Sequence, residues 1–230
     1  MPGKNEAVRI GDVIFRKSDT PGLTWEMSPT DEAEVLASVR EARAKAGFVL
    51  FTIHAHQTAG DKDDGPALFQ PEVLHLANEA AAPNDPWPAD FESTLFHAAI
   101  DAGADAVVRT GPHILNGIEI YHGKPIFYSL GSLFFPFGQR RTFTTAAGET
   151  LVIPDEAFET VVPVTTYNHG RVSEIRLYPV AIDTGTGPRA GAPRPAPPEQ
   201  GRRILERVKE LSRPFGTAVE IEENVGVIRM

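Results

Sequence analysis

Two short apolar runs, each leading into a histidine, constrain this chain most. Residues 47–53 (GFVLFTI) pass straight into His54-Ala55-His56-Gln57, and residues 106–108 lead to the turn Gly111-Pro112-His113. Each run follows a stretch with helical periodicity, residues 30–46 and 90–102. Helix, strand, helix, strand is the pattern of a mixed sheet with helices packed against it. In such folds the carboxyl ends of strands present the chemistry. Two strand ends that terminate in histidine therefore point to a metal centre or a catalytic pair.

The remaining elements follow from local signals. Residues 8–15 read as a short strand and residues 17–27 as loop. Thr30 is the expected N-cap of the first helix, with Glu32 and Glu34 at the positive end of its dipole. Its buried face carries Val35, Leu36 and Val39, and Gly47 stops it. Residues 57–66 are polar and glycine-rich and read as loop. Residues 71–81 read as a short helix and 83–88 as a rigid turn. The second helix buries Phe91, Leu95, Phe96, Ala99 and Ile100, with Gly103 as its C′ residue. Residues 117–121 and 125–130 form a strand pair across His122-Gly123-Lys124, and 159–167 with 171–182 form another across Asn168-His169-Gly170. Residues 185–200 are a proline- and glycine-rich connection. Residues 201–212 form a charged helix with Ile204, Leu205, Val208 and Leu211 on one face, and 217–229 add a strand or hairpin. The domain reading is 1–184 as the main domain, 185–200 as the connection, and 201–230 packing on the same domain.

Composition removes several function classes. The chain has 230 residues, a net charge of −9 and no cysteine. The acidic balance argues against nucleic acid, whose binding needs clustered Lys and Arg; the short cluster Gln139-Arg140-Arg141 reads as a solvated loop. Without Cys, any metal must sit on His, carboxylate or amide groups. No stretch reaches the roughly 20 apolar residues of a membrane span, and the start MPGKNEAVRIGD lacks the apolar core of a signal peptide. The expected location is cytoplasmic. No P-loop, G-x-G-x-x-G or G-x-S-x-G motif occurs, and the serines of Tyr128-Ser129-Leu130-Gly131-Ser132 have no readable base.

His54 and His56 would share one face if the strand continues. Imidazole suits divalent transition metals, although an H-x-H pair is also common at strand ends. The Gly-Pro before His113 fixes its backbone at a strand exit. His75, His122 and His169 read as surface residues, and His97 as structural. Asp101 and Asp105 read as turn-fixing groups, and Asp61, Asp63 and Asp64 as a solvated charge run. Glu119 faces either the site or solvent.

The segments FTIHAHQ and FHAAIDAGADAVVRTGPHILNGIEIYHGKPIFYSLGSLFF, with RVSEIRLYPVAI and ILERVKELSRPFGTAVEI further on, closely resemble the CapA family of poly-gamma-glutamate capsule biosynthesis proteins. The resemblance covers roughly residues 30–225. It implies a calcineurin-like, metallophosphatase-type α/β sandwich with a dinuclear metal site at strand ends, of which this chain resembles the C-terminal portion and lacks the N-terminal half. His54 matches the first histidine box and His113 the last histidine of the G-H-x-P-H box. His56 and Gln57 match an H-x-H-E variant of the first box. The chain departs from the pattern in three ways. The boxes of the family's N-terminal half are not found before residue 30. Thr110 stands where a metal-binding histidine is expected, and Ser132 replaces an asparagine.

The resemblance implies a metal-dependent hydrolase acting on a phosphoester, ester or amide bond of a small-molecule or peptide-like substrate. His54, His56 and His113 are the expected ligands of a zinc, manganese or iron ion, one ion rather than two. His56 and His113 are the expected catalytic residues. The second reading is a non-catalytic binding or scaffold module in capsule polymer handling. Missing first strands would leave a sheet edge open, so the expectation includes a homo-oligomer, or a sheet re-paired by residues 5–15.

Overall fold

Proline and serine fix where the first helix begins. Ser28 accepts a hydrogen bond from the Asp31 amide at 3.4 Å, and Pro29 takes the first helical position, where its missing N–H costs nothing. The N-cap is therefore Ser28 and not Thr30. The computed structural model describes residues 7–11, 13–16, 25–57, 88–135, 141–144 and 150–230. The loop of 58–66, the helix of 71–81, the turn of 83–87, His75, the acids Asp61, Asp63 and Asp64, and Gln139-Arg140 lie outside the described residues.

Helix α1 (Pro29–Lys45) leads through Ala46 into β3 (Leu50–His54), after the N-terminal strands β1 (Ala7–Ile10) and β2 (Val13–Arg16). Helix α2 (Asp90–Asp101) leads into β4 (Ala106–Thr110). The hairpin β5 (Ile118–Tyr121) and β6 (Lys124–Phe127) follows. These strands form a four-stranded sheet of order β3-β4-β6-β5, parallel except for the antiparallel β5 edge. A small hairpin, β7 (Thr142–Thr144) with β8 (Thr150–Val152), precedes the second sheet.

That second sheet is antiparallel. Its centre is β10 (Arg171–Ile182), which pairs with β9 (Glu159–Asn168) on one side. On the other side it pairs with β13 (Val225–Arg229) and with the short β11 (Pro193–Pro195). β12 (Glu220–Glu222) adds to β13. Helix α3 (Pro198–Ser212) starts inside the proline-rich connection. The fold is mixed α/β: among the described residues there are two larger sheets, two small hairpins and few helices.

Alternation along the strands separates two cores. Val107 and Ile126 join Leu36, Val39, Leu95, Phe96, Ala99 and Ile100 under helices α1 and α2. Their neighbours Ile118 and Phe127 face the other way and pack with Ile175, Leu177, Ile204, Leu205, Val208 and Ile228. The four-stranded sheet is thus covered on both faces, as parallel strands require. Its β3 edge is the exception, with Phe48 48% and Leu50 54% exposed.

Three expectations need correction. Residues 8–15 are not one strand: Gly11 (φ +61°) turns the chain, and β1 pairs with β2. Among the described residues neither strand joins the four-stranded sheet, so Ala7–Ile10 and Val13–Arg16 do not re-pair it. Glu119 faces neither solvent nor the histidine site. It points at α2, where His97 Nε2 lies 2.9 Å from one carboxylate oxygen and the Tyr128 hydroxyl donates at 2.7 Å. Burial first, then that hydrogen bond, pushes the Tyr128 phenol well above its ordinary value.

Truncating the core should be costly. Leu205 is fully buried, so Leu205→Ala should lose about 2–5 kcal/mol in urea unfolding. Tyr128 predicts an alkaline limit. Its folded pKa is raised, so its contribution is fully present below the unfolded tyrosine value of about 10 and is lost as pH rises above it. Urea midpoints taken across that range should fall less steeply for Tyr128→Phe than for wild type.

Candidate functional site

The carboxyl ends of β3 and β4 carry the histidines because the ladder continues past the strands. The Ala55 amide donates to the Thr110 carbonyl at 2.8 Å, which holds the His54–Gln57 segment against the β4 exit. Gly111 takes φ +128°, and a Cβ there would lie 2.4 Å from the Ala55 carbonyl oxygen. Only glycine lets the two turns approach this closely. Pro112 then sets the direction of His113, and the Ser129 hydroxyl pins the turn by donating to the Pro112 carbonyl at 3.2 Å.

The three histidines stand side by side. His54 Nε2 and His56 Nε2 are 3.0 Å apart, and their rings meet edge-on with centroids 4.9 Å apart. The strand ends at His54, so the pair converges through the loop and not through strand alternation. The His113 ring lies 5.5 Å from that of His56 and 5.8 Å from that of Phe135, centroid to centroid. His54 is exposed, while His56 and His113 are half-buried.

Thr110 sits beside this cluster. Its hydroxyl oxygen is 3.2 Å from His54 Nδ1 and 3.3 Å from the Ile53 carbonyl oxygen. Below it, Arg109 is fully buried, with its Nε 3.2 Å from Glu92 on helix α2. The Arg109 guanidinium also donates to the Gln57 carbonyl at 2.5 Å and to the Tyr128 carbonyl at 3.4 Å. A buried cation thus ties the histidine loop to the sheet and helix beneath it. Glu92 additionally accepts from the Ala89 amide at 3.2 Å and so closes the start of α2.

The donor chemistry suits a transition metal. Two nitrogens bound to one tetrahedral ion at about 2.0–2.1 Å stand about 3.3 Å apart, close to the 3.0 Å of His54 and His56. The spacing fits for these two donors only: among the described residues no group of three His, Cys, Asp or Glu side chains is arranged to hold an ion.

Sequence comparison places the chain. The family model described as bacterial capsule synthesis protein PGA_cap matches residues 73–136, the stretch that carries Arg109 to His113. The PGA biosynthesis protein CapA of Bacillus subtilis (strain 168) is 32% identical over 136 residues, 59% of this chain and 28% of its own length. The capsule biosynthesis protein CapA of Bacillus anthracis is 45% identical over 47 residues, 20% of this chain and 11% of its own. These matches support a relation to the CapA family. A Sinorhizobium fredii (strain NBRC 101917 / NGR234) protein, y4sH, is 34% identical over 257 residues, covering 98% of this chain and 50% of its own length. The chain thus spans half the length of the first relatives it matches. No helix among the described residues is long and apolar enough to cross a membrane.

The positioning residues Arg109, Glu92 and Ser129 were not singled out from sequence. Their signal was present: an arginine inside the apolar strand AVVRT and a glutamate on the buried stripe of helix α2.

Removing one partner of the buried ion pair should be severe. Glu92→Gln leaves the Arg109 cation uncompensated and should cost about 3–5 kcal/mol in chemical denaturation. The double variant Glu92→Met with Arg109→Met should recover much of that loss.

Proposed function

We propose that this CapA-related chain serves capsule polymer metabolism as a metal-dependent hydrolase, with His54 and His56 as donors to one divalent transition ion, zinc, manganese or iron, and His113 beside them. The observation that carries the reading is the convergence of His54 Nε2 and His56 Nε2 to 3.0 Å at a strand end. When bound, such an ion supplies an acidified water and polarises a phosphoryl, ester or amide bond.

The chain's own residues do the rest. His54 turns its Nε2 toward the shared centre. His56 offers its Nε2 at the same point, as the second donor to the ion or, when it is not bound to the ion, as general acid or base. His113 stands one ring further, beside His56, and contributes a further proton carrier. Arg109 and Ser129 hold the two turns in register through the Gln57 and Pro112 carbonyls. The substrate is a small-molecule or peptide-like compound, admitted at the exposed His54 side.

Elemental analysis and zinc titration of the untagged protein test this. About one ion per chain is expected, with hydrolysis in a screen of phosphoesters, esters and amides. His54→Ala should abolish metal retention, and His113→Ala should lower turnover by at least tenfold. If both variants keep the metal and the turnover of wild type, the reading is wrong, and a binding module in capsule polymer handling takes its place.

A further inference from the structure

Thr110 occupies a position where the family resemblance leads one to expect a metal-binding histidine, and its hydroxyl makes two contacts that constrain each other. A hydroxyl has one proton to donate and two lone pairs to accept with. The Ile53 carbonyl, 3.3 Å away, can only accept. His54 Nδ1, 3.2 Å away, can donate or accept. Both contacts are hydrogen bonds at once in one arrangement only. Thr110 gives its proton to Ile53, and His54 Nδ1–H donates to the Thr110 oxygen. The Nε2 of neutral His54 is then a bare lone pair.

We propose that Thr110 is a positioning residue that locks His54 in the Nδ1–H tautomer, so that its Nε2 lone pair faces His56. The inference deepens the proposed function, on which its metal-binding consequence rests, while the tautomer itself does not depend on any metal. Free histidine side chains favour the opposite tautomer, so the Thr110 contact works against an intrinsic preference. The 3.0 Å contact between His54 Nε2 and His56 Nε2 follows: with His54 unprotonated there, His56 Nε2–H is the donor. Metal-bound histidines are commonly oriented this way, by an acceptor on the ring nitrogen that does not touch the ion. Thr110 therefore does not remove a ligand from the cluster without compensation. It supplies the outer contact that makes His54 a better one.

Long-range proton–nitrogen NMR of histidine-labelled, metal-free protein reads the tautomer directly, at a pH where the ring is neutral. The His54 signals are identified by their loss in His54→Gln. Wild type and Thr110→Ser should show the Nδ1–H form, and Thr110→Val should shift His54 toward the Nε2–H form. Zinc titration should then show on the order of ten- to a hundred-fold weaker binding for Thr110→Val and near-wild-type binding for Thr110→Ser. An Nε2–H tautomer in wild type overturns the proposal, as does an unchanged tautomer in Thr110→Val. Where wild type binds zinc, equal affinity in all three proteins overturns the positioning role. Should Thr110→Val fail to fold, Thr110→Ala replaces it, and the wild-type spectrum alone still decides the tautomer. If the tautomer is as stated and wild type binds no zinc, the hydrolase reading falls and the Thr110 assignment stands.

Discussion

A single buried guanidinium connects the parts of this molecule that matter most. Arg109 lies in the middle layer, fully out of solvent, with Glu92 of helix α2 as its counter-charge. Its remaining donors reach the carbonyls of Gln57 and Tyr128. An unpaired ion at this depth would be prohibitive. Helix α2, the β4 strand, the end of β6 and the histidine loop are therefore held in one arrangement, the one that satisfies the charge. The cation serves position, because a well-packed apolar pair would give similar stability without fixing the loop.

Above that layer, the site depends on close approach between two turns. The β3 and β4 exits share a hydrogen bond beyond the strands, and Gly111 leaves no side chain between them. The histidines meet because the loops meet. At the opposite end of the same strands, Asp105 performs the corresponding task. It accepts from the Val49 amide at 2.8 Å and from Arg43 at 2.7 Å, with Lys124 at 3.2 Å. The parallel strands are stitched at both ends by polar groups, so their registers cannot slip without stranding a buried charge.

Much of this was legible in the sequence, and the failures have physical causes. Helices α1, α2 and α3 follow the helical spacing of their apolar residues, and the hairpin turns at His122-Gly123 and His169-Gly170 follow their glycines. Asp105 was recognisable as a turn-fixing group. The helix start was misplaced by two residues because a proline at the first helical position transfers the cap to the residue before it. The hairpin of residues 7–16 was read as one strand because Gly11 sits among apolar residues. Glu119 could be assigned a face but not a layer, since alternation says nothing about which element covers the face. The Arg109–Glu92 pair required knowing that α2 crosses β4, and that is a property of packing, not of spacing. The histidine cluster was visible as three residues; the role of Thr110 needed distances.

The topology also orders events during synthesis. The first sheet and its two helices can assemble once residue 127 has left the ribosome. Its second face, with Ile118 and Phe127, is buried only when β10 arrives. The second sheet in turn needs residues 225–229, because β13 lies between β10 and β12. For about a hundred residues of translation, at roughly 5–20 residues per second, a half-built layer shows an apolar face to solvent. Exposed apolar surface of this kind is what makes partly folded chains prone to aggregate, so the long reach from β6 to β13 puts a kinetic demand on folding that the finished fold no longer displays.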